Sequence, residues 1–253
     1  MRLRVALAVV VLVAGVVAAA QEGGRFRGRG RRAPVVEPAR VDYDGRFAFV
    51  RLRYREGGGF FGGDPGWAHD YPRAERNFMR ILEDLTLLRV HRDRSNIFTL
   101  DDPELGNYPV AYMSEPGYWT MNEAELEGIR AYLAKGGFLI FDDFRGEHWY
   151  NFEEQMRRVV PDGRLVELDA ANPIFHSFFE INDLDEQIGY YGRATFYGMY
   201  EGNDPARRLM LIANYNHDIG EFWEYSDTGF VPIALSNEAY KLGVNYVMYG
   251  MTH

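Results

Sequence analysis

The sequence predicts an α/β domain, a three-layer sandwich with a mainly parallel central sheet and helices on both faces. Two observations predict it. Strand-like and helix-like patterns alternate from residue 46 to residue 250, the order that builds parallel sheets covered on both sides. Between Tyr108 and Phe144 the chain reads strand, helix, glycine stop, strand, and a crossover of that kind makes its two strands parallel.

The elements follow in order. RFAFVRLRY (46–54) alternates apolar and polar residues and is rich in Phe and Val, a strand signature. A glycine-heavy loop, REGGGFFGGDPGWAHD, comes next. YPRAERNFMRILEDLT then places Phe78, Ile81, Leu82 and Leu85 on one helical face, with Pro72 in the first turn. LLRV (87–90) reads as a short strand and YPVAYMS (108–114) as a buried one. Thr120 and Glu123 have capping-box spacing. Leu126, Ile129 and Leu133 recur at helix spacing, and Gly136-Gly137 stop that helix. FLIF (138–141) is a buried strand, NFEEQMRRVV (151–160) a short amphipathic helix, and RLVEL (164–168) a short strand. RLMLIANYN (208–216) is a strongly apolar strand, and NEAYKLGVNYVMYG (237–250) closes the chain as a helix. No internal repeat is present, and residues 41–253 suffice for one core.

The N-terminus has its own logic. Arg2 and Arg4 precede an apolar stretch from Val5 to Val17, and Ala18-Ala19-Ala20 offer a small-residue cleavage site. This is the layout of a secretory signal peptide over residues 1–20. The apolar stretch is short for a bilayer span of ~20 residues, so no transmembrane span is expected after cleavage. Residues 21–40 are rich in Gly, Arg and Pro and read as a linker. Residues 1–40 hold eight arginines and two glutamates, so the net charge of −9 places −15 on residues 41–253. A domain that acidic repels nucleic-acid phosphates. The chain has no cysteine, hence no disulfide, thiolate nucleophile or zinc–thiolate site. Export to a bacterial periplasm or to the extracellular space accounts for all of this.

LGNYPVAYMSEPGYWTMNEAELEGIRAYLAKGGFLIFDD resembles the middle crossover of proteins with the class I glutamine-amidotransferase-like fold. ANPIFHSFFEI, RLMLIANYNHDIGEFWE and LGVNYVMYGMTH, in the same order, resemble the bacterial domain-of-unknown-function family 4159. The resemblance spans about residues 46–253 and implies a flavodoxin-like parallel sheet; it implies no activity. Active amidotransferases of this class use a cysteine on a tight turn after a strand, and this chain has none. Ser114 is no substitute, being followed by Glu115-Pro116 rather than the glycine-flanked elbow such a nucleophile needs.

In an open parallel sheet ligands bind outside the carboxyl ends of the strands, which nominates particular residues. After the first strand come Trp67, His69 and Asp70, with a helix N-cap as the alternative role for Asp70. Glu115 follows the third strand, Asp142 and Asp143 the fourth, and Asn216, His217, Asp218 and Glu221 the late one. Asp142 and Asp143 can serve one crevice only where the strand has ended, because successive strand residues face opposite sides. One can then orient a neighbouring loop while the other faces the ligand. His217 beside Asp218 could be an oriented base. His176 lies among aromatics, where packing competes with a ligand role. The glycine loop lacks the Lys-Ser/Thr of a P-loop. No motif demands a cofactor; a divalent cation on Asp142, Asp143, His217 and Asp218 is the alternative that the donor types allow.

Two functions follow. The first is a non-catalytic module that binds an envelope ligand or a protein partner, expected from the missing nucleophile. The second is a hydrolase of glycosides or envelope polymers using the clustered Asp and His residues, with or without a metal. Trp67, Trp119, Trp149 and Trp223 lie in or near loops, where indoles can stack on sugars as well as fill cores.

Overall fold

The computed structural model describes residues 40–57 and 65–253. The expected signal peptide, nearly all of the linker and residues 58–64 of the glycine-rich loop lie outside the described residues. Seven strands form the main sheet: β1 Phe47–Arg53, β2 Val90–Thr99, β3 Val110–Ser114, β4 Phe138–Phe144, β5 Val166–Glu167, β6 Thr195–Tyr200 and β7 Leu209–Tyr215. Their spatial order is β2-β1-β3-β4-β7-β6-β5. The pairs from β2 through β7 are parallel, while β6 runs antiparallel to both β7 and β5. The domain is therefore α/β with a mixed, mostly parallel sheet. Among the described residues no helix is long and apolar enough to cross a membrane.

Among the described residues five α-helices flank the sheet: α1 Arg73–Leu85, α2 Glu123–Ala134, α3 His148–Val159, α4 Ile219–Glu224 and α5 Ile233–Thr252. Strand alternation sorts the core into two layers. Phe47, Phe49, Tyr112, Ile140 and Ile212 meet α1, α4 and α5 on one face. Val50, Leu52, Met113, Phe141 and Leu211 meet α2 and α3 on the other.

Several elements differ from the sequence expectation, each for a physical reason. The LLRV strand lies later, over Val90–Thr99, and Leu87 is exposed. Within the sheet β2 pairs only with β1, so an edge strand can carry the solvent-facing Arg92-Asp93-Arg94. The capping box is Asn122 with Glu125. Thr120 instead pairs in a two-residue strand with Arg55 and donates its hydroxyl to that residue's carbonyl. Strand β6 and helix α4 were not anticipated; six residues each is too short to display a period. Helix α5 begins at Ile233, directly after Pro232.

Strand β1 is the turning point of the sheet, since the chain runs from it to β2 on one side and β3 lies on the other. Loops leaving such neighbours diverge and leave a crevice at the carboxyl edge. The candidate residues gather there.

Candidate metal centre

The backbone is bent at this edge. Asp70, Glu115, Asp143 and Asn216 all adopt left-handed conformations, with φ of 64°, 48°, 57° and 61°. Only one other non-glycine residue among those described, Asn203, does so. Conformations of this kind cost free energy and concentrate where side chains must be aimed.

The two adjacent aspartates are separated by this bend. Pairing of β4 with β7 shifts register between Ala213 and Tyr215, and Asp143, with its left-handed φ, lies at this irregularity within the last residues of the strand. Asp142 is wholly buried. Its carboxylate accepts from Tyr112 Oη at 2.8 Å, Asn214 Nδ2 at 2.9 Å, and the backbone N–H groups of Ile219 and Gly220 at 2.9 and 3.0 Å. Burial pushes its pKa up to about 6, against the hydrogen bonds from Asn214, Tyr112 and Gly220. Asp142 thus ties the first turn of α4 to the sheet and has no free face for a ligand. Asp142→Ala should cost about 3 kcal/mol or more, since several buried donors lose a charged acceptor at once. A urea unfolding curve checks this.

Asp143 faces the crevice. Its Oδ2 lies 2.7 Å from His69 Nδ1, and its Oδ1 accepts from Tyr190 Oη. The same phenol contacts Asp218 Oδ2 at 2.7 Å. Asp218 uses its other oxygen to cap α4, accepting from Glu221 N at 2.8 Å. Around the same imidazole stand Asp70, with Oδ1 3.7 Å from Nε2, and Glu115, with Oε1 3.6 Å from Nδ1. Two donor sets converge: His69 with Asp143 and Asp218, and His69 with Asp70 and Glu221. Within each set the atoms lie within 4.8 Å of one another. Ligands 2.0–2.2 Å from one ion are about 3–4.4 Å apart, so modest side-chain movement closes either set.

Asp70 is the most telling member. It is only 5% exposed, and neither carboxylate oxygen has a hydrogen-bond partner. It does not cap α1, whose N-cap, Pro72, receives no side-chain bond. Gly220 makes room for it, because a Cβ there would stand 2.6 Å from Asp70 Oδ2. Glu221 Oε1 and Glu115 Oε2 are buried without partners as well.

Electrostatics follow from this crowding. Burial, then the Glu221, Glu224 and Asp143 carboxylates, raise Asp70 well above the carboxylate range, against the pull of His69. Burial and Asp143 push Glu115 up to about 8, again against His69. Burial, Asp143 and Asp70 raise Asp218. For Asp143 burial acts upward too, but the hydrogen bond and charge of His69, the Tyr190 hydroxyl and Arg145 outweigh it and hold the group below its usual value. His69 is the cluster's opening to solvent, its side chain 44% exposed. Desolvation lowers its pKa, yet Asp70, Asp143 and Glu115 together raise it well above normal. Five carboxyl groups share one imidazole, a balance that a divalent cation would correct.

The family model for a domain of unknown function, DUF4159, matches residues 48–251. The chain belongs to the DUF4159 family. No curated protein matches it in sequence.

Not every sequence candidate of this DUF4159 domain reaches the cluster. His69, Asp70, Glu115, Asp143, Asp218 and Glu221 do. His217 does not: its ring is buried between Phe196 and Phe222, with centroids 6.1 and 5.9 Å away. Burial lowers its pKa to about 4, so it is neutral and packs as a core residue. His176 is held by Glu180 and the carbonyl of Ala170 at 2.6 and 2.7 Å, on a segment docked to α5 through Asn245. Asn216 spends its amide on the hairpin of residues 188–193, bonding Tyr191 and Arg193. Trp67, Trp119 and Trp223 are core residues, so three of the four indoles offer no sugar platform.

Three residues escaped sequence reasoning. Tyr190 comes from the hairpin IGYYGR, whose flanking Gly189 and Gly192 were its one signal. Arg145 lies just past β4. Arg51 is buried within β1, where the alternating pattern gave it no distinction; it donates to Glu75 and to the carbonyls of Trp67 and His69, both at 2.9 Å. That grip holds the loop that carries His69.

Proposed function

We propose that this domain is a hydrolase dependent on a divalent cation, with the cation held by His69, Asp143 and Asp218 and with Asp70 and Glu221 as the adjoining set. The observation that carries the reading is Asp70: a carboxylate removed from water, without a hydrogen-bond partner, and aimed at an imidazole already surrounded by acids. Burial of that kind is costly unless a positive charge shares the site. Mixed imidazole and carboxylate donors suit Mn²⁺, Zn²⁺ or Fe²⁺. A neutral imidazole has one lone pair, so the two sets are alternatives for one cation through His69.

A cation there supplies Lewis acidity and brings the pKa of water toward neutrality. The remaining roles fall to the chain. Glu115, whose Oε2 is unpartnered, can exchange a proton with a substrate's leaving oxygen. Tyr190 fixes Asp143 and Asp218 relative to each other. Cysteine-dependent glutamine hydrolysis is excluded by the absence of cysteine. The amidotransferase-like relationship stays part of this proposal, its one support being a mostly parallel sheet that turns at β1. Export, read from residues 1–20, makes a glycoside or other envelope polymer the fitting substrate class.

A panel of chromogenic glycosides and esters, assayed with Mn²⁺ or Zn²⁺ and again with chelator, tests the reading. Cleavage that disappears with chelator and falls at least about 100-fold in His69→Ala is the expected result. Tight cation binding with no cleavage of any class would favour the ligand-binding module instead.

A further inference from the structure

Arg145 stands beside the cluster with an unusual set of neighbours. Its guanidinium carbon is 3.6 Å from the ring centroid of Tyr190 and 5.9 Å from that of Tyr191. Among the described residues no carboxylate lies within ion-pair distance of it; the described ion pairs involve other arginines. The side chain is half-buried, and Tyr191 is 78% exposed. Stacking on a phenol fixes the plane of a guanidinium and leaves its N–H edge open. The hydroxyl of that same phenol bonds Asp143 and Asp218. A fixed cation with open donors is thus set one ring's width from the proposed cation site.

Resting on the cation reading, we infer that the substrate carries an oxyanion, a phosphate or a carboxylate, and that Arg145 binds it in bidentate fashion beside the scissile bond. The fork of a guanidinium matches the two oxygens of either group. An aromatic stack holds the fork without consuming its donors, which an ion pair would do. A neutral glycoside would leave those donors unused. Tyr191, adjacent and exposed, offers a face to whatever the anion is attached to. The bland alternative is that Arg145 only offsets the acidic cluster; it requires no ligand and predicts no change in oxyanion binding.

The test titrates the full chain, with and without Mn²⁺, by calorimetry against inorganic phosphate, glucuronate and neutral methyl glucoside. Wild type should bind at least one oxyanion. Arg145→Gln should weaken that oxyanion by about tenfold or more and leave the neutral sugar and Mn²⁺ affinity undiminished. Arg145→Lys should recover part of the loss, having the charge without the fork. A loss confined to phosphate assigns a phosphoester, and one confined to glucuronate assigns a uronate. Equal oxyanion binding by wild type and Arg145→Gln, or none by either, overturns the inference. Failure of Mn²⁺ to bind the wild type would instead overturn the cation reading, and the titrations without Mn²⁺ still judge Arg145 separately.

Discussion

Arg51→Met is expected to cost about 3–5 kcal/mol of stability, the range for breaking a buried ion pair from one side. Arg51 is wholly buried in β1 and its partner Glu75 nearly so. The guanidinium also lies 5.0 Å from the ring centroid of Tyr112. Removing it strands the Glu75 carboxylate, whose Oε2 already lacks a hydrogen bond, and frees the carbonyls of Trp67 and His69. The double variant Arg51→Met/Glu75→Leu should recover most of the lost stability, because well-packed apolar residues often replace a buried pair without penalty. It should not recover the position of His69, since nothing then binds that residue's carbonyl. Cation affinity measured on the double variant should stay about tenfold or more below wild type. Recovery of both stability and affinity would show that Arg51 is only a core residue.

Asp70→Asn should move stability the other way. Burial and neighbouring carboxylates raise the pKa of Asp70 above its unfolded value, so the folded state holds the proton more tightly than the unfolded chain. Stability therefore declines as pH rises past the unfolded value of about 3.9, and the penalty grows until the folded group ionises. The amide carries no such penalty. The cation-free variant should gain about 1–2 kcal/mol at neutral pH, or about 2–4 °C in Tm per kcal/mol for a domain of this size. Near pH 3, where the acid is neutral in both states, the gain should vanish. The stabilisation expected of wild type at saturating Mn²⁺ should shrink in the same variant, since one carboxylate charge beside the cation is gone. A variant that is more stable without cation and less responsive to it marks a carboxylate kept for a ligand.

How much of this was legible in the sequence depends on the distance over which each signal acts. The crossover from Tyr108 to Phe144 was readable because apolar runs, helix spacing and Gly136-Gly137 all lie within one local stretch. The carboxyl-edge rule then nominated His69, Asp70, Glu115, Asp143, Asp218 and Glu221, whose positions follow from topology. What the sequence could not separate were neighbours. Asp142 and Asp143 differ by a left-handed turn and a register shift against β7. His217 and Asp218 differ by which side of the sheet edge each side chain leaves. The sequence favours His217-Asp218 over His69-Asp70 because Asp70 stands just ahead of a helix, where it reads as an N-cap; the structure pairs Asp143 with a histidine 74 positions away. Tyr190 and Arg145 were invisible for a similar reason, their contacts being made between a hairpin and a strand end.

The most direct measurement is an anomalous difference map from crystals of the domain grown with Mn²⁺. The account predicts a peak about 2.0–2.3 Å from a ring nitrogen of His69 and from carboxylate oxygens of Asp143 and Asp218, with the 2.7 Å His69–Asp143 hydrogen bond replaced by coordination. At saturating Mn²⁺, an intact His69–Asp143 hydrogen bond with no peak in the cluster would contradict it.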